Sequence, residues 1–336
     1  MKSVVIERPE VLRVQERERP QPTAGQVRVK VRYASICGSD VHIWHGHNPF
    51  ARYPRVIGHE FFGVIDAVGE GVDAARLGER VAVDPVVSCG HCYPCSVGRP
   101  NVCSALQVIG VHLDGGFSEY ALAPSGNAYK LPESIPDRLA SLIEPFTIAA
   151  NITAFLNPTG QDIALVYGAG PMGLTAVQVL KGVYGVKQVI VTDRLPERLA
   201  MAQDNGADRV INNSEISLAE QLAGIQPTLI IDAACHPSIL PEAIALASPA
   251  ARIGLLGFSG DTCAITQQSL TSKELSLFTS RLNSRRFPQV IEWINQGHIQ
   301  PAKLVTHTLP LSQIEQAMTL FEKQPRTCCK VIIEMD

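Results

Sequence analysis

A chain of 336 residues is long enough for two domains, each with its own core. With 29 Lys and Arg against 32 Asp and Glu the formal net charge is −3, and 46% of residues are hydrophobic, which excludes wholesale disorder. No basic run of five or more residues occurs, so neither nucleic acid nor an anionic membrane is expected as a partner.

The N-terminal stretch MKSVVIERPEVLRVQERERP interrupts its apolar residues with charge and has no small-residue cleavage site. It does not read as a secretory signal, and a cytoplasmic location is expected. The nine cysteines then read as thiols and metal ligands rather than as a disulfide framework. Residues 26–33 alternate, with Val27, Val29, Val31 and Tyr33 on one face and polar or charged residues on the other, the pattern of a half-buried strand. Residues 61–68, 80–83 and 117–123 look similar. Helical period is not sustained in the first 135 residues, which predicts a compact antiparallel β domain.

The texture changes near Pro136. Residues 137–156 carry apolar side chains at helical spacing. Strands at 163–167, 188–192, 228–232 and 252–256 then alternate with helices at 171–184, 197–203 and 238–246. That order predicts a doubly wound parallel sheet, so the fold class is α/β with a separate β domain. An uncharged run over 163–180 contains Gly168, Gly170, Pro171 and Gly173, which suits a turn better than a bilayer span. Helical stretches at 287–295 and 312–322 and a closing strand at 329–334 complete the chain.

Two regions of the β domain carry metal chemistry. Cys89, Cys92, Cys95 and Cys103 place four thiols within fifteen positions, with Gly90, Pro94, Gly98 and Pro100 supplying turns. Four such thiolates can close a tetrahedron around Zn²⁺ with no position open, which stabilises a loop and does no chemistry. His91 would be a fifth ligand and is expected to face solvent. A zinc-ribbon nucleic-acid module is the other class with clustered cysteines, but it uses two paired knuckles and a basic surface, and this sequence has neither.

The second region is dispersed. Cys37 follows the alternating strand in Cys37-Gly-Ser-Asp40, and His59 and Glu60 stand at another strand's edge in Gly58-His-Glu60. A thiolate, an imidazole and a carboxylate from separate loops make a site with an exchangeable position, as catalytic zinc requires. Glu144 lies in an apolar helical stretch, where burial without a cation would be costly, and reads as an additional or alternating ligand. Asp40 is either support for this site or a local turn cap.

A nucleotide fingerprint follows. Gly168-Ala-Gly170-Pro171-Met172-Gly173 lies between a predicted strand and a predicted helix, and Asp193 ends the next strand twenty residues after Gly173. The first glycine permits the turn, the second lets the pyrophosphate approach the backbone, and the third permits close helix–strand packing. The helix N-terminus offers amide donors to the phosphates. Asp193 should accept from the adenosine ribose hydroxyls and favour NAD over NADP. Arg194 beside it could accommodate a 2′-phosphate, and Arg198 either covers the adenine or is a solvated helix residue.

These residues together resemble the zinc-dependent medium-chain dehydrogenases, the group of alcohol, sorbitol and threonine dehydrogenases, over essentially the whole chain. The likeness rests on the motifs at Cys37, Gly58, Cys89–Cys103, Glu144-Pro145 and Gly168–Gly173, and on Thr306-His307. Residues 45–50, 83–89 and 231–237 resemble a bacterial starvation-sensing branch, with L-galactonate and other sugar-acid dehydrogenases nearby. The resemblance implies a GroES-like β-barrel catalytic domain over 1–150 with its structural zinc lobe at 89–103. It further implies a Rossmann NAD-binding domain over 151–284, a C-terminal return over 285–336, and homodimers or homotetramers. Carried over, Cys37, His59, Glu60 and Glu144 match the catalytic zinc positions, and the four clustered cysteines match a structural zinc. The carboxylate-rich site points to the polyol branch. The implied activity is hydride transfer from a secondary alcohol of a polyol or sugar acid to NAD.

Ser39 and His42, three residues apart, resemble the family's proton relay, although His42 also reads as an exposed loop histidine. Trp44, Phe50 and Phe117 either wall the substrate pocket or anchor packing. Arg281 and Asn283 either bind a substrate carboxylate and hydroxyl or belong to an exposed loop. A different class of function is a signalling or regulatory protein that keeps the fold and cofactor without turnover.

Overall fold

The strand expected over 26–33 extends over Gln26–Ser35 in the computed structural model, which describes residues 1–335. It organises the first of two compact units, formed by Met1–Glu144, Ser284–Asn295 and the chain from Leu304 onward. Glu60–Val68 and Tyr120–Pro124 pair with it antiparallel, as does the C-terminal strand Lys330–Glu334. Arg80–Val83 and Ala128–Lys130 continue the sheet beyond Glu60–Val68. Val27, Val29 and Val31 are buried as their alternation requires, and Lys30 and Arg32 are exposed. Arg28 departs from the pattern. It is buried because its guanidinium is bidentate to Asp66, at 2.9 and 3.1 Å, and also donates to the Pro20 carbonyl.

Two features add to the antiparallel domain expected over the first 135 residues. Val305–Pro310 runs parallel to Lys330–Glu334, because the chain returns to this sheet from a distant segment. A short helix, Gly38–Trp44, also follows the central strand. The charge-interrupted N-terminus forms a hairpin of Lys2–Arg8 and Val11–Glu16, joined on its other edge by Arg55–Val56.

The second unit, Pro145–Asn283 with Gln296–Lys303, holds a six-stranded sheet. Its order is Arg209–Asn212, Gln188–Asp193, Ile163–Tyr167, Leu229–Asp232, Arg252–Leu255, Ser276–Thr279, and every pair is parallel. Ile163–Tyr167 is apolar and buried along nearly its whole length, as a central parallel strand covered on both faces should be. The order reverses at this strand, so its C-terminal end is the topological switch point where open α/β sheets bind ligands.

The single helical run read over 137–156 is broken into Asp137–Ala140 and Ile143–Leu156. Pro145 has no N–H to bond the Ser141 carbonyl, so a proline here is tolerated only in the first turn of a new helix. No helix among the described residues is long and apolar enough to cross a membrane.

Candidate active site and metal centres

Tight turns bring the four clustered cysteines together. Their sulfurs lie within 4.8 Å of one another, with Cys92–Cys95, Cys92–Cys103 and Cys89–Cys103 separations of 3.5, 3.6 and 3.4 Å. A tetrahedral zinc with sulfur at about 2.3 Å requires sulfur–sulfur spacings of about 3.8 Å, so the donor set fits that ion. Backbone amides steady the sulfurs: Ser104 N–H donates to Cys92, and the Cys89 and Ala105 amides donate to Cys103. The Ser104 amide pulls the Cys92 thiol down to about 5, whereas burial and the Cys92 thiol push Cys95 up to about 11. His91 is exposed and its Nδ1 lies 2.9 Å from the Cys89 carbonyl oxygen.

The dispersed residues are assembled by strand register. Ser35 stands opposite Glu60 on one side and Ile332 on the other. Extending both ladders by two residues brings Cys37 toward Gly58 and Lys330. One ligand atom each from Cys37, His59 and Glu60 lie within 4.8 Å of one another. His59 is 6% exposed, Glu60 fully buried and Cys37 half-buried, so this thiolate, imidazole and carboxylate offer a soft-to-borderline cation three donors largely shielded from water.

Sequence reasoning missed the cation already present there. Lys330 is 1% exposed, and its Nζ donates to both Glu60 oxygens at 2.6 and 2.5 Å and to the Ile36 carbonyl at 3.0 Å. Burial opposes its charge, but Glu60 outweighs burial and holds the ammonium above its ordinary range. Ser35 Oγ donates to Glu60 Oε2. A lysine interrupting an otherwise apolar closing strand was the available signal.

Asp40 performs both roles left open for it. It is fully buried; Oδ2 accepts from the Cys37 amide at 2.9 Å and Oδ1 from the Gly58 amide at 3.2 Å. Oδ1 also lies 3.6 Å from His59 Nδ1, on the opposite ring edge from the Nε2 that Ser39 Oγ approaches to 3.5 Å. Burial works against protonation of His59, but Asp40 and Cys37 raise its pKa well above the ordinary histidine range. Glu144 is buried at the start of Ile143–Leu156 and lies outside the 4.8 Å set. Desolvation pushes its carboxyl up to about 8, with His59 and Lys330 opposing and Glu60 reinforcing.

In the second unit, the glycine turn sits at the switch point. Gly168 has φ +90°, and a Cβ on Gly173 would lie 1.9 Å from the Gly168 carbonyl oxygen, so neither position takes a side chain without rearrangement. Nothing lies within 4 Å of where a Gly170 Cβ would be, leaving open space above the N-terminus of Pro171–Gly182. Pro171 is the first helical residue, and the Met172 carbonyl accepts from Thr175. Asp193 Oδ2 accepts from the Ala169 amide at 2.8 Å and Oδ1 from the Leu195 amide at 2.9 Å, tying the turn to the next strand. Open space above amide donors, with a carboxylate alongside, fits a dinucleotide. Arg194 is exposed. Arg198 is buried on Pro196–Asp204, which removes the solvated-helix alternative.

Ser39, His42 and Trp44 share the helix Gly38–Trp44, with Ser39 half-buried, His42 exposed and Trp44 half-buried. Phe117 is fully buried beneath Gly58 and serves packing. Phe50 is exposed, its ring centroid 6.4 Å from that of His112. Arg281 and Asn283 belong to the second unit. Arg281 lies 5.7 Å from the Phe258 ring, and Asn283 is fully buried, which excludes an exposed loop for it.

Residues 23–133 match the family described as alcohol dehydrogenase GroES-like domain, and residues 171–296 match zinc-binding dehydrogenase. The chain is 64% identical over 335 residues to the starvation-sensing protein RspB of Escherichia coli K12, covering 99% of each. It is 31% identical to L-galactonate-5-dehydrogenase of the same organism, covering 94% of each. A crystal structure of the rspB alcohol dehydrogenase of E. coli CFT073 with NADH superposes with a TM-score of 0.98 at 63% identity, covering 99% of each chain.

Proposed function

Because the chain belongs to the zinc-binding alcohol dehydrogenase family with a GroES-like domain, we propose that it oxidises a secondary alcohol of a polyol or sugar acid by hydride transfer to NAD. The observation that carries this reading is the cluster of Cys37, His59 and Glu60, whose three mixed donors would leave a cation a position to exchange. These three would hold the reactive zinc, with Glu144 as an alternating ligand. The four clustered cysteines would hold a second, structural zinc.

When bound, an ion at the first site would lower the pKa of a substrate hydroxyl, and a dinucleotide would supply the hydride acceptor. Asp40 sets a negative charge 3.6 Å behind His59 Nδ1, on the far ring edge from Nε2, which would favour ligation through Nε2. Lys330 compensates the charge of Glu60 out of water. Ser39 Oγ, beside Nε2, would take the hydroxyl proton while releasing its own, and His42, exposed on the same helix, would be the point at which a proton leaves to solvent. Asp193 keeps lone pairs beyond its two amide bonds for ribose hydroxyls, and its charge disfavours a 2′-phosphate. The NADH in the rspB structure supports NAD as the partner.

The test is to incubate zinc-replete protein with NAD or NADP and a panel of polyols and sugar acids. NADH formation with at least one compound is expected, with NADP at least about tenfold poorer. Full zinc occupancy and tight NADH binding without turnover on any compound would overturn the reading and favour a regulatory role. Ser39→Ala is expected to lower kcat about 100-fold at unchanged zinc content, measured by steady-state kinetics beside metal analysis.

A further inference from the structure

A cavity of about 510 Å³ in the first unit borders the cysteine lobe, with Cys89 and Ala105 in its wall, and its volume is within the range of about 300–1,000 Å³ typical of small-molecule sites. Arg52, Ser88, Gln107 and His112 give it polar walls, and Val87 and Leu106 give it apolar ones. The short ladder in which Val86 pairs with Val108 and Val87 with Gln107 holds two of these walls in register.

On the side away from Cys89 its polar groups are cationic or neutral. Arg52 is exposed and makes no ion pair or hydrogen bond among the described residues. Other arginines of this unit are engaged by acids: Arg17 and Arg55 by Asp114, Arg28 by Asp66, Arg80 by Asp137. His112 Nδ1 accepts the Val108 amide at 3.0 Å, so the neutral ring carries its proton on Nε2. No Asp or Glu is among the described residues lining the cavity. A guanidinium fork and an imidazole N–H suit the oxygens of an anion, while Ser88 and Gln107 can both give and accept hydrogen bonds to hydroxyls.

The cavity is tied to the metal-ligating segment. Gly110 packs on the Gly58–His59 peptide so closely that a Cβ there would lie 2.6 Å from the Gly58 oxygen and 3.1 Å from the His59 nitrogen. Two residues of chain, at most about 7 Å, separate Gly110 from His112, and a six-carbon backbone spans about 6 Å.

We propose that Arg52 and His112 bind the anionic end group of the substrate, so that the enzyme acts on acidic polyols, carboxylates or phosphates, rather than on neutral ones. This rests on the dehydrogenase reading and narrows its substrate class.

The test compares kcat/KM for six-carbon aldonates, hexitol phosphates and neutral hexitols, together with calorimetric binding of L-galactonate and of galactitol 1-phosphate to the zinc-replete, NADH-loaded protein. An anionic series is expected to exceed the hexitols by at least about 100-fold, and whichever series leads identifies carboxylate or phosphate as the end group. Arg52→Ala is expected to cost that series about 30-fold, mostly in KM, to leave hexitol kinetics within about twofold, and to be partly rescued by Arg52→Lys. Hexitol turnover equal to that of the anions, or an Arg52→Ala loss shared equally by both, would overturn the proposal while leaving the dehydrogenase reading intact. Arg52-dependent binding of an anion without turnover of any compound would support the anion site and instead sink the dehydrogenase reading.

Discussion

The four cysteines of the lobe come from fifteen consecutive positions, three of them half-exposed, and backbone amides steady their sulfurs. Cys37, His59 and Glu60 come from two segments of the first unit, and side chains steady them: Asp40 behind the imidazole and Lys330 behind the carboxylate. Charge explains the difference. Four thiolates around a dication leave a net charge of −2, which water screens at a half-exposed surface. Around the second site, Cys37, Glu60 and the fully buried Asp40 supply −3, Lys330 +1 and a dication +2, for a total of zero, which leaves Glu144 to sit there in its neutral form. A site taken out of water must balance its charge locally, and there the balancing groups are drawn from distant parts of the chain.

The sharpest way to break this comparison is to remove one sulfur from each region. Cys37→Ser is expected to lower kcat/KM by at least about 10³-fold and zinc content from two to one per chain, with little change in Tm. Cys103→Ser is expected to lose the other zinc and to lower Tm on the order of 10 °C, because closing the lobe is folding free energy. Metal analysis, kinetics and thermal unfolding on the same two variants check both. Equal Tm losses would show that the two centres do not divide the work between chemistry and structure.

Next in size is Lys330. Lys330→Met leaves Glu60 fully buried without its ammonium and is expected to destabilise the protein by about 3–5 kcal/mol in urea unfolding. Adding Glu60→Gln should recover most of that loss, since removing both charges costs far less than removing one. Failure of the double variant to recover would mean that the lysine acts through packing.

Glu144 gives a pH test. Its carboxyl is raised to about 8 against an unfolded value near 4.5, so the folded state holds an extra proton between those values. That stability is complete below about 4.5 and is lost as pH rises through about 8. Protein stripped at the buried cluster should therefore weaken over this window by a few kcal/mol, and Glu144→Gln should flatten the slope. A variant with the wild-type slope would place the titration elsewhere, His59 being the nearest candidate.

The lobe was legible because its ligands are close in sequence, so spacing alone states the geometry. The glycine turn was legible for the same reason, with Asp193 at a fixed distance in the next strand. Lys330 was not, because it meets Glu60 across 270 positions and only the register of Lys330–Glu334 against Gln26–Ser35 brings them together. Arg28 misled the alternation rule because its partner Asp66 lies on a neighbouring strand. The edge strands Arg209–Asn212 and Ser276–Thr279 escaped notice, being short and only partly buried, without the continuous apolar run of the central strands.

Asp40 supplies the subtlest contrast between the two metal regions, because the lobe's equivalent supports are backbone amides, which only a proline would remove. Asp40→Asn keeps one oxygen for the Cys37 or Gly58 amide and turns an N–H₂ toward the other, so the loop loosens and the His59 ring loses its charged neighbour. Zinc affinity of the buried cluster is expected to fall about tenfold near pH 8, while the lobe retains its ion, as chelator competition resolves. The same substitution removes the largest influence raising the His59 pKa, so a proton competes less with the metal. The affinity gap between variant and wild type should therefore narrow as pH falls through the raised His59 value. A gap that stays constant across that range would mean that Asp40 orients the ring without setting its protonation.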